Sequence, residues 1–234
     1  MTRGHAGPNR ARAYDRRRFA HRTIARAVAA LALASGAALV VHIVGGVSLR
    51  LMLALAMSVV VLAATFVWRR ATVRQRRWLA RRVTVGAASG GLGVVVYDIT
   101  KTVLSQLDAW RYNPFEAVRV FGVLIAGPHA SLRTVYAAGV AYHVLNGISF
   151  GVVFCLLWGE RGILAGMIWG LFLECFQLTL FPGWLDIRAI GEFQRISVLS
   201  HLAYGATLGA CCRYALGAGG RRLRAAAAAR PPHV

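Results

Sequence analysis

The chain has 234 residues, is 57% hydrophobic and carries a formal net charge of +20. A soluble domain does not ordinarily combine that apolar content with that much uncompensated charge. The composition therefore argues against a soluble globular protein and for apolar spans in lipid, with the charges in the loops between them.

A membrane-spanning helix needs about 20 mostly apolar residues. Six such spans are predicted, over residues 24–46, 51–68, 83–106, 134–158, 162–181 and 193–217. The expected fold class is all-α: a polytopic membrane helix bundle with an internal two-helix parallel repeat (spans three–four and five–six). Positive residues gather in cytoplasmic loops. With the N-terminus inside, 21 arginines fall in inner segments and six in outer loops, and the opposite orientation would reverse this. Both termini are therefore expected in the cytoplasm.

In chain order, residues 1–23 form a basic N-terminal segment. It suits a positive-inside anchor rather than nucleic-acid binding, and it and the other arginine-rich cytoplasmic segments suit contact with anionic lipid. DRRRF (15–19) resembles a twin-arginine export signal. However, Arg22 and Arg26 intrude on the following apolar run, which is long for a cleavable signal, so the first span is expected to be retained.

Residues 24–68 read as a two-span scaffold hairpin with almost no polar side chains, and 69–82 as an arginine-rich cytoplasmic loop. A duplicated four-span core follows over 83–217. Its long outer connection, 108–133, holds PFEAVRVFGVLIAG, which starts with a proline suited to a first helical position. That piece is too short to span, so an interfacial or re-entrant outer helix is expected near 114–126, with Trp110 and Tyr112 at headgroup level. Residues 218–234 read as a disordered basic tail. The four cysteines, Cys155, Cys175, Cys211 and Cys212, lie within or at the ends of spans without CxxC spacing, so no disulfide framework follows.

The duplication is written in glycines and polar residues. Span three carries Gly86 and Gly90, then Val94 and Asp98; span five carries Gly162, Gly166 and Gly170, then Glu174 in the same four-residue frame. Three residues beyond each carboxylate stands another polar group, Lys101 and Gln177. Spans four and six match likewise: His143, Gly147, Gly151 against His201, Gly205, Gly209. The unit is a carboxylate helix followed by a histidine helix, offset by 76 and 58 residues. Two spans apart, the copies run in the same direction, which predicts a pseudo-twofold axis along the membrane normal. Small stripes let helix backbones approach closely in lipid.

At a rise of about 1.5 Å per residue, His143 and His201 lie roughly 12–14 Å, and Asp98 and Glu174 roughly 8–12 Å, below the outer edge. All four are expected in the outer half of the bilayer, at one level, and Asn146 extends the stripe one turn inward. Tyr204 takes that place in the second copy. Ionisable groups inside a bilayer are costly and normally face the interior and pair. The candidate binding residues are therefore Asp98, Lys101, His143, Asn146, Glu174, Gln177 and His201. Against this stands a structural role, with Asp98 paired to Lys101 on its own helix and each histidine locking a helix interface.

No catalytic residue, metal or cofactor is assigned. Two histidines and two carboxylates are acceptable zinc or iron ligands, and His143 and His201 share the depth that a bis-histidine haem requires, but nothing in the sequence fixes a geometry. GISFG (147–151) matches the G-x-S-x-G elbow in letters only, since it lies inside a predicted helix.

The late pattern HVLNGISFG, GILAGMIWG to FPG and HLAYGATLG, with NPFEAVRVFGVLIAG before it, resembles the YagU-like group of small bacterial membrane proteins over about residues 83–217. The resemblance implies an α-helical inner-membrane protein and brings no catalytic residues. Ser149, His201 and AWR (109–111) resemble rhomboid proteases more faintly. However, Phe150 stands where that family has glycine, no span-two histidine–asparagine pair exists, and the serine lies roughly 23 Å down. LECFQ resembles the E-x-x-Q of VanZ-like proteins, which the repeat does not suit.

The leading functional expectation is binding or passage of a small solute, ion or proton, with histidine and carboxylate as exchangeable proton sites. A non-catalytic scaffold or accessory subunit and an intramembrane enzyme are the alternatives. Expected partners are the lipid bilayer and a second copy or another membrane protein, and not nucleic acid.

Overall fold

A computed structural model describes residues 23–107 and 113–228 of the chain. The expectations for the N-terminal segment before Thr23, for Trp110 and Tyr112 and for the last six residues lie outside the described residues. The described residues form helices and no strands. The helices are α1 (Thr23–Ala32), α2 (Ala34–Gly45), α3 (Leu49–Arg70), α4 (Val73–Leu107), α5 (Glu116–Ala126), α6 (Leu132–Trp158), α7 (Ile163–Trp184) and α8 (Ile190–Ala228).

Among the described residues four helices, α3, α4, α6 and α7, are long and apolar enough to cross a membrane, and α1 with α2 makes a fifth if that bent pair is one span. The count falls short of the expected six because α8 is less apolar over the turns where Ser197, Ser200, His201 and Tyr204 occur. The first span is also not one rod. It bends by 48° between α1 and α2. The bend sits beside the point where α6 grips α2: Tyr142 Oη donates to Ser35 O at 2.8 Å and Ser35 Oγ donates to Asn146 Oδ1 at 2.9 Å. Outside groups that engage a helix's backbone are an ordinary cause of a kink.

Most of the segment read as an arginine-rich loop, 69–82, is helical. α3 runs to Arg70 and α4 starts at Val73. A capping box restarts the chain: Thr72 N donates to Gln75 Oε1 at 2.9 Å and Gln75 N donates to Thr72 Oγ1 at 3.3 Å. RQRRWLARR is then rich in good helix formers. The tail read as disordered is likewise helical as far as Ala228. Its alanine, arginine and leucine content suits a helix continuing from α8. Pro114 does not open α5; it precedes the N-cap Phe115, whose amide is held by Asn113 Oδ1 at 3.0 Å.

The four longest core helices stand in a row, α6–α4–α8–α7. Glycines set the two outer contacts of that row. A Cβ on Gly90 would lie 2.6 Å from Gly147 O, and one on Gly151 would lie 2.5 Å from Gly86 O. In the other pair Gly166 faces Gly205, Gly170 faces His201 and Gly209 faces Gly162 at the same closeness of backbone. Residue numbers run oppositely along both contacts, so α4 is antiparallel to α6 and α7 to α8. The central contact joins α4 to α8, where the Tyr204 ring fills the space a Cβ on Gly93 would occupy, 2.7 Å from Cδ2. Tyr204 Oη then donates to Gly147 O at 2.7 Å, tying α8 to α6 across α4.

This row does not fit the expected pseudo-twofold axis. An axis exchanging the α4–α6 pair with the α7–α8 pair would require α6 to meet α7 as α4 meets α8, and α6 and α7 hardly touch. The pairs lie side by side instead, related as neighbours in a line. The short α5 packs antiparallel to the first turns of α6, with Gly122 against Val135 and Gly139 against Val118. Arg50 Nε donates to Leu124 O at 3.2 Å near the C-terminus of α5, where the helix dipole favours a cation.

Candidate functional site

The apolar spans bring the predicted polar residues to one level across all four helices of the row. On the α6–α4 side, His143 Nε2 lies 3.0 Å from Asp98 Oδ1 and 3.3 Å from Oδ2. On the α8–α7 side, His201 Nδ1 lies 2.6 Å from Glu174 Oε2 and 3.0 Å from Ser197 O. Ser197 O can only accept, so in that contact Nδ1 carries the hydrogen. Ser197 Oγ donates to Glu174 Oε2 at 2.6 Å and accepts from Gln177 Nε2 at 2.8 Å.

Tyr97 of α4 joins the two pairs. Its ring centroid lies 4.9 Å from that of His201, edge-on, and 5.8 Å from that of His143. One turn further along α4, Lys101 is 6% exposed. Its Nζ lies 5.2 Å from the Tyr97 ring centroid and 5.5 Å from that of Phe115, next to α5. Asp98 therefore pairs with His143 across two helices, and Lys101 sits on two aromatic faces, a recognised arrangement for an ammonium group.

The two pairs differ in access. Side chains of His143 and Asp98 are 23% and 36% exposed, those of His201 and Glu174 are 11% and 2%. Asp98 lies on the open face of α4, beside the exposed Val95, Ile99 and Val103. Glu174 is sealed, and its Oε1 is buried with no hydrogen-bond partner among the described residues. The band thus has an open end and a closed end.

Of the predicted site residues, Asp98, Lys101, His143, Glu174, Gln177 and His201 come together. Asn146 does not join them: it accepts from Ser35 and donates to Tyr142 O at 3.1 Å, holding α2 to α6. Tyr97 and Ser197 are the members the sequence reading missed. The reading matched residues between the copies, and these two have no polar match: the offsets of 76 and 58 place Leu173 opposite Tyr97 and Gly139 opposite Ser197. The available signals were a tyrosine beside an intramembrane aspartate and a serine one turn before a histidine.

Among the described residues no three His, Cys, Asp or Glu side chains gather as a metal-binding set; the histidine–carboxylate groups come in twos. The contacts of His201 run to Glu174, Ser197 and Tyr97 rather than to Ser149. Comparison of the chain with protein-family models, with curated proteins and with solved structures gave no match.

Proposed function

We propose that this chain is a six-span bacterial inner-membrane protein, with both termini cytoplasmic, that binds or passes a small solute, ion or proton through its histidine–carboxylate band. The observation that carries the reading is the pair of histidine–carboxylate contacts at one level, linked by Tyr97, inside apolar helices. Each ionisable group costs about 2.5–3.5 kcal/mol at the bilayer centre on insertion scales, so a cluster of them marks a site by default.

The sixth span is supported by packing. α8 lies along both α4 and α7, so a bilayer that takes in those two takes in α8 as well. The duplication is supported by the equivalence of contacts: Gly86–Gly151, Gly90–Gly147 and Asp98–His143 correspond to Gly162–Gly209, Gly166–Gly205 and Glu174–His201. Orientation rests on the arginine asymmetry. Kinship with the YagU-like group belongs to the same proposal and rests on the motifs around His143, Gly162 and His201.

The test is flux into liposomes, with an internal pH dye for protons, comparing the wild type with the His143→Asn/His201→Asn double variant. Histidine-dependent flux is the expected outcome. A non-catalytic scaffold is favoured by one specific fact: each histidine–carboxylate contact bridges two helices. That reading gains if neither protein shows flux and the double variant melts well below the wild type.

A further inference from the structure

Seven arginines stand between Arg69 and Arg82, and the chain has no carboxylate from Thr23 up to Asp98. The helical course of 73–82 gives each arginine there a fixed face, and three of them are used within the fold. Arg76 Nη2 donates to Arg69 O at 3.2 Å, with its guanidinium 5.7 Å from the Trp68 ring centroid. Arg81 Nη2 donates to Leu216 O at 2.9 Å. Arg82 Nη1 donates to Cys155 O at 2.8 Å, and its Nη2 takes the Glu160 carboxylate. The other four, Arg69, Arg70, Arg74 and Arg77, are exposed and have no carboxylate partner among the described residues.

An apolar stripe leads away from these free charges. Leu55, Val59, Leu62 and Phe66 of α3 are all exposed, at steps of three and four residues that place them on one face. Arg70 is the next step, and its guanidinium lies 5.3 Å from the Phe66 ring centroid. None of the most apolar 18 residues of α3 is buried inside the protein. The stripe from Leu55 to Phe66 runs about 16 Å, close to the roughly 15 Å of one leaflet's hydrocarbon. We infer that the α3–α4 turn is a docking site for an anionic phospholipid. Its phosphate is held by Arg70, Arg74 and Arg77, and its acyl chains lie along the α3 stripe. Guanidinium groups pair with phosphate oxygens through charged, often bidentate hydrogen bonds. A free phosphate or a nucleic acid would use the arginines and leave the stripe unused. The exposed Trp68 marks the same level, since tryptophan settles among lipid headgroups. The site lies about 30 Å of helix from Asp98 and does not depend on what the polar band does.

The experiment uses the full chain in non-ionic detergent micelles and reads thermal unfolding with added phosphatidylglycerol, phosphatidylcholine, inorganic phosphate or a short oligonucleotide. Phosphatidylglycerol is expected to raise the melting temperature by about 3–6 °C at ten times its dissociation constant. Phosphatidylcholine, phosphate and the oligonucleotide should not. The Arg70→Gln/Arg74→Gln/Arg77→Gln triple variant should lose the shift, and the outer-loop Arg133→Gln/Arg188→Gln variant should keep it. An indifferent wild type, an equal effect of phosphatidylcholine, phosphate or the oligonucleotide, a shift that survives in the triple variant, or one lost in the outer-loop variant overturns the inference.

If the triple variant does not fold, the wild type in salt decides. About 0.5 M sodium chloride shortens the screening length to a few ångström and should remove most of the phosphatidylglycerol shift. A shift of unchanged size in that salt overturns the inference.

Discussion

Tyr204 and Tyr142 each give a hydroxyl hydrogen to a backbone carbonyl of another helix, Gly147 O at 2.7 Å and Ser35 O at 2.8 Å. Water is scarce at that depth, so both hydroxyls need these acceptors. Tyr204→Phe keeps the ring that packs on Gly93 and loses the bond; a drop in stability of about 1 kcal/mol is expected in detergent unfolding. Tyr204→Ala also empties a buried site and should cost about 3–5 kcal/mol, as large-to-small aromatic changes do. The two carboxylates should separate in the same assay. Glu174→Ala strips Ser197 and His201 of a buried partner, whereas Asp98 stands partly open, so Glu174→Ala should melt well below Asp98→Ala. Equal melting temperatures would contradict the open-end and closed-end description. At this scale the sequence marked the carboxylates and histidines through their repeated spacing. It did not mark Tyr97 or Ser197, whose importance comes from neighbours on other helices.

Helices α4 and α6, and α7 and α8, meet where backbone touches backbone. Leucine in place of Gly90 or Gly166 would force the pairs apart, since a single added Cβ already meets the facing chain. Loss of the folded, monodisperse peak in detergent gel filtration is the expected result. Gly191, with nothing within 4 Å of an added Cβ, supplies the control: Gly191→Ala should run as the wild type. The stripes were legible because close packing in lipid leaves a four-residue small-side-chain signature. The helical course of 73–82 was legible in part. Thr72 and Gln75 have the capping-box spacing, but the arginine content favoured a loop reading. Thr72→Ala should lower stability by about 1 kcal/mol, read as a lower melting temperature.

For the whole molecule the open question is whether α8 crosses. Single cysteines placed in the turn near Arg161, in the turn near Arg188 and at the C-terminal end, in a chain lacking its four native cysteines, report this with a membrane-impermeant reagent on intact cells. Six crossings predict labelling near Arg188, silence near Arg161, and silence at the C-terminal end until the membrane is opened. Labelling at the C-terminal end on intact cells would mean that α8 does not complete a span. The arginine asymmetry already sets the expected orientation, because charge is read by the insertion machinery along the chain and does not depend on packing.

The amino-acid sequence by itself determined the solvent, the helical class, the glycine faces and the histidines and carboxylates of the polar band, because each is a property of periodicity along one helix. Only the tertiary structure decided the order of helices in the row, the absence of a twofold relation, the bend at Leu33 and the difference between the two histidine–carboxylate pairs. A stripe says that a helix has a close neighbour but not which one. Two stripes on four helices fit a closed ring as well as a line. The line was chosen by Tyr204 entering the space beside Gly93, and by Tyr97 meeting His201 across the same contact. Those contacts are between residues far apart in the chain, with no period to betray them.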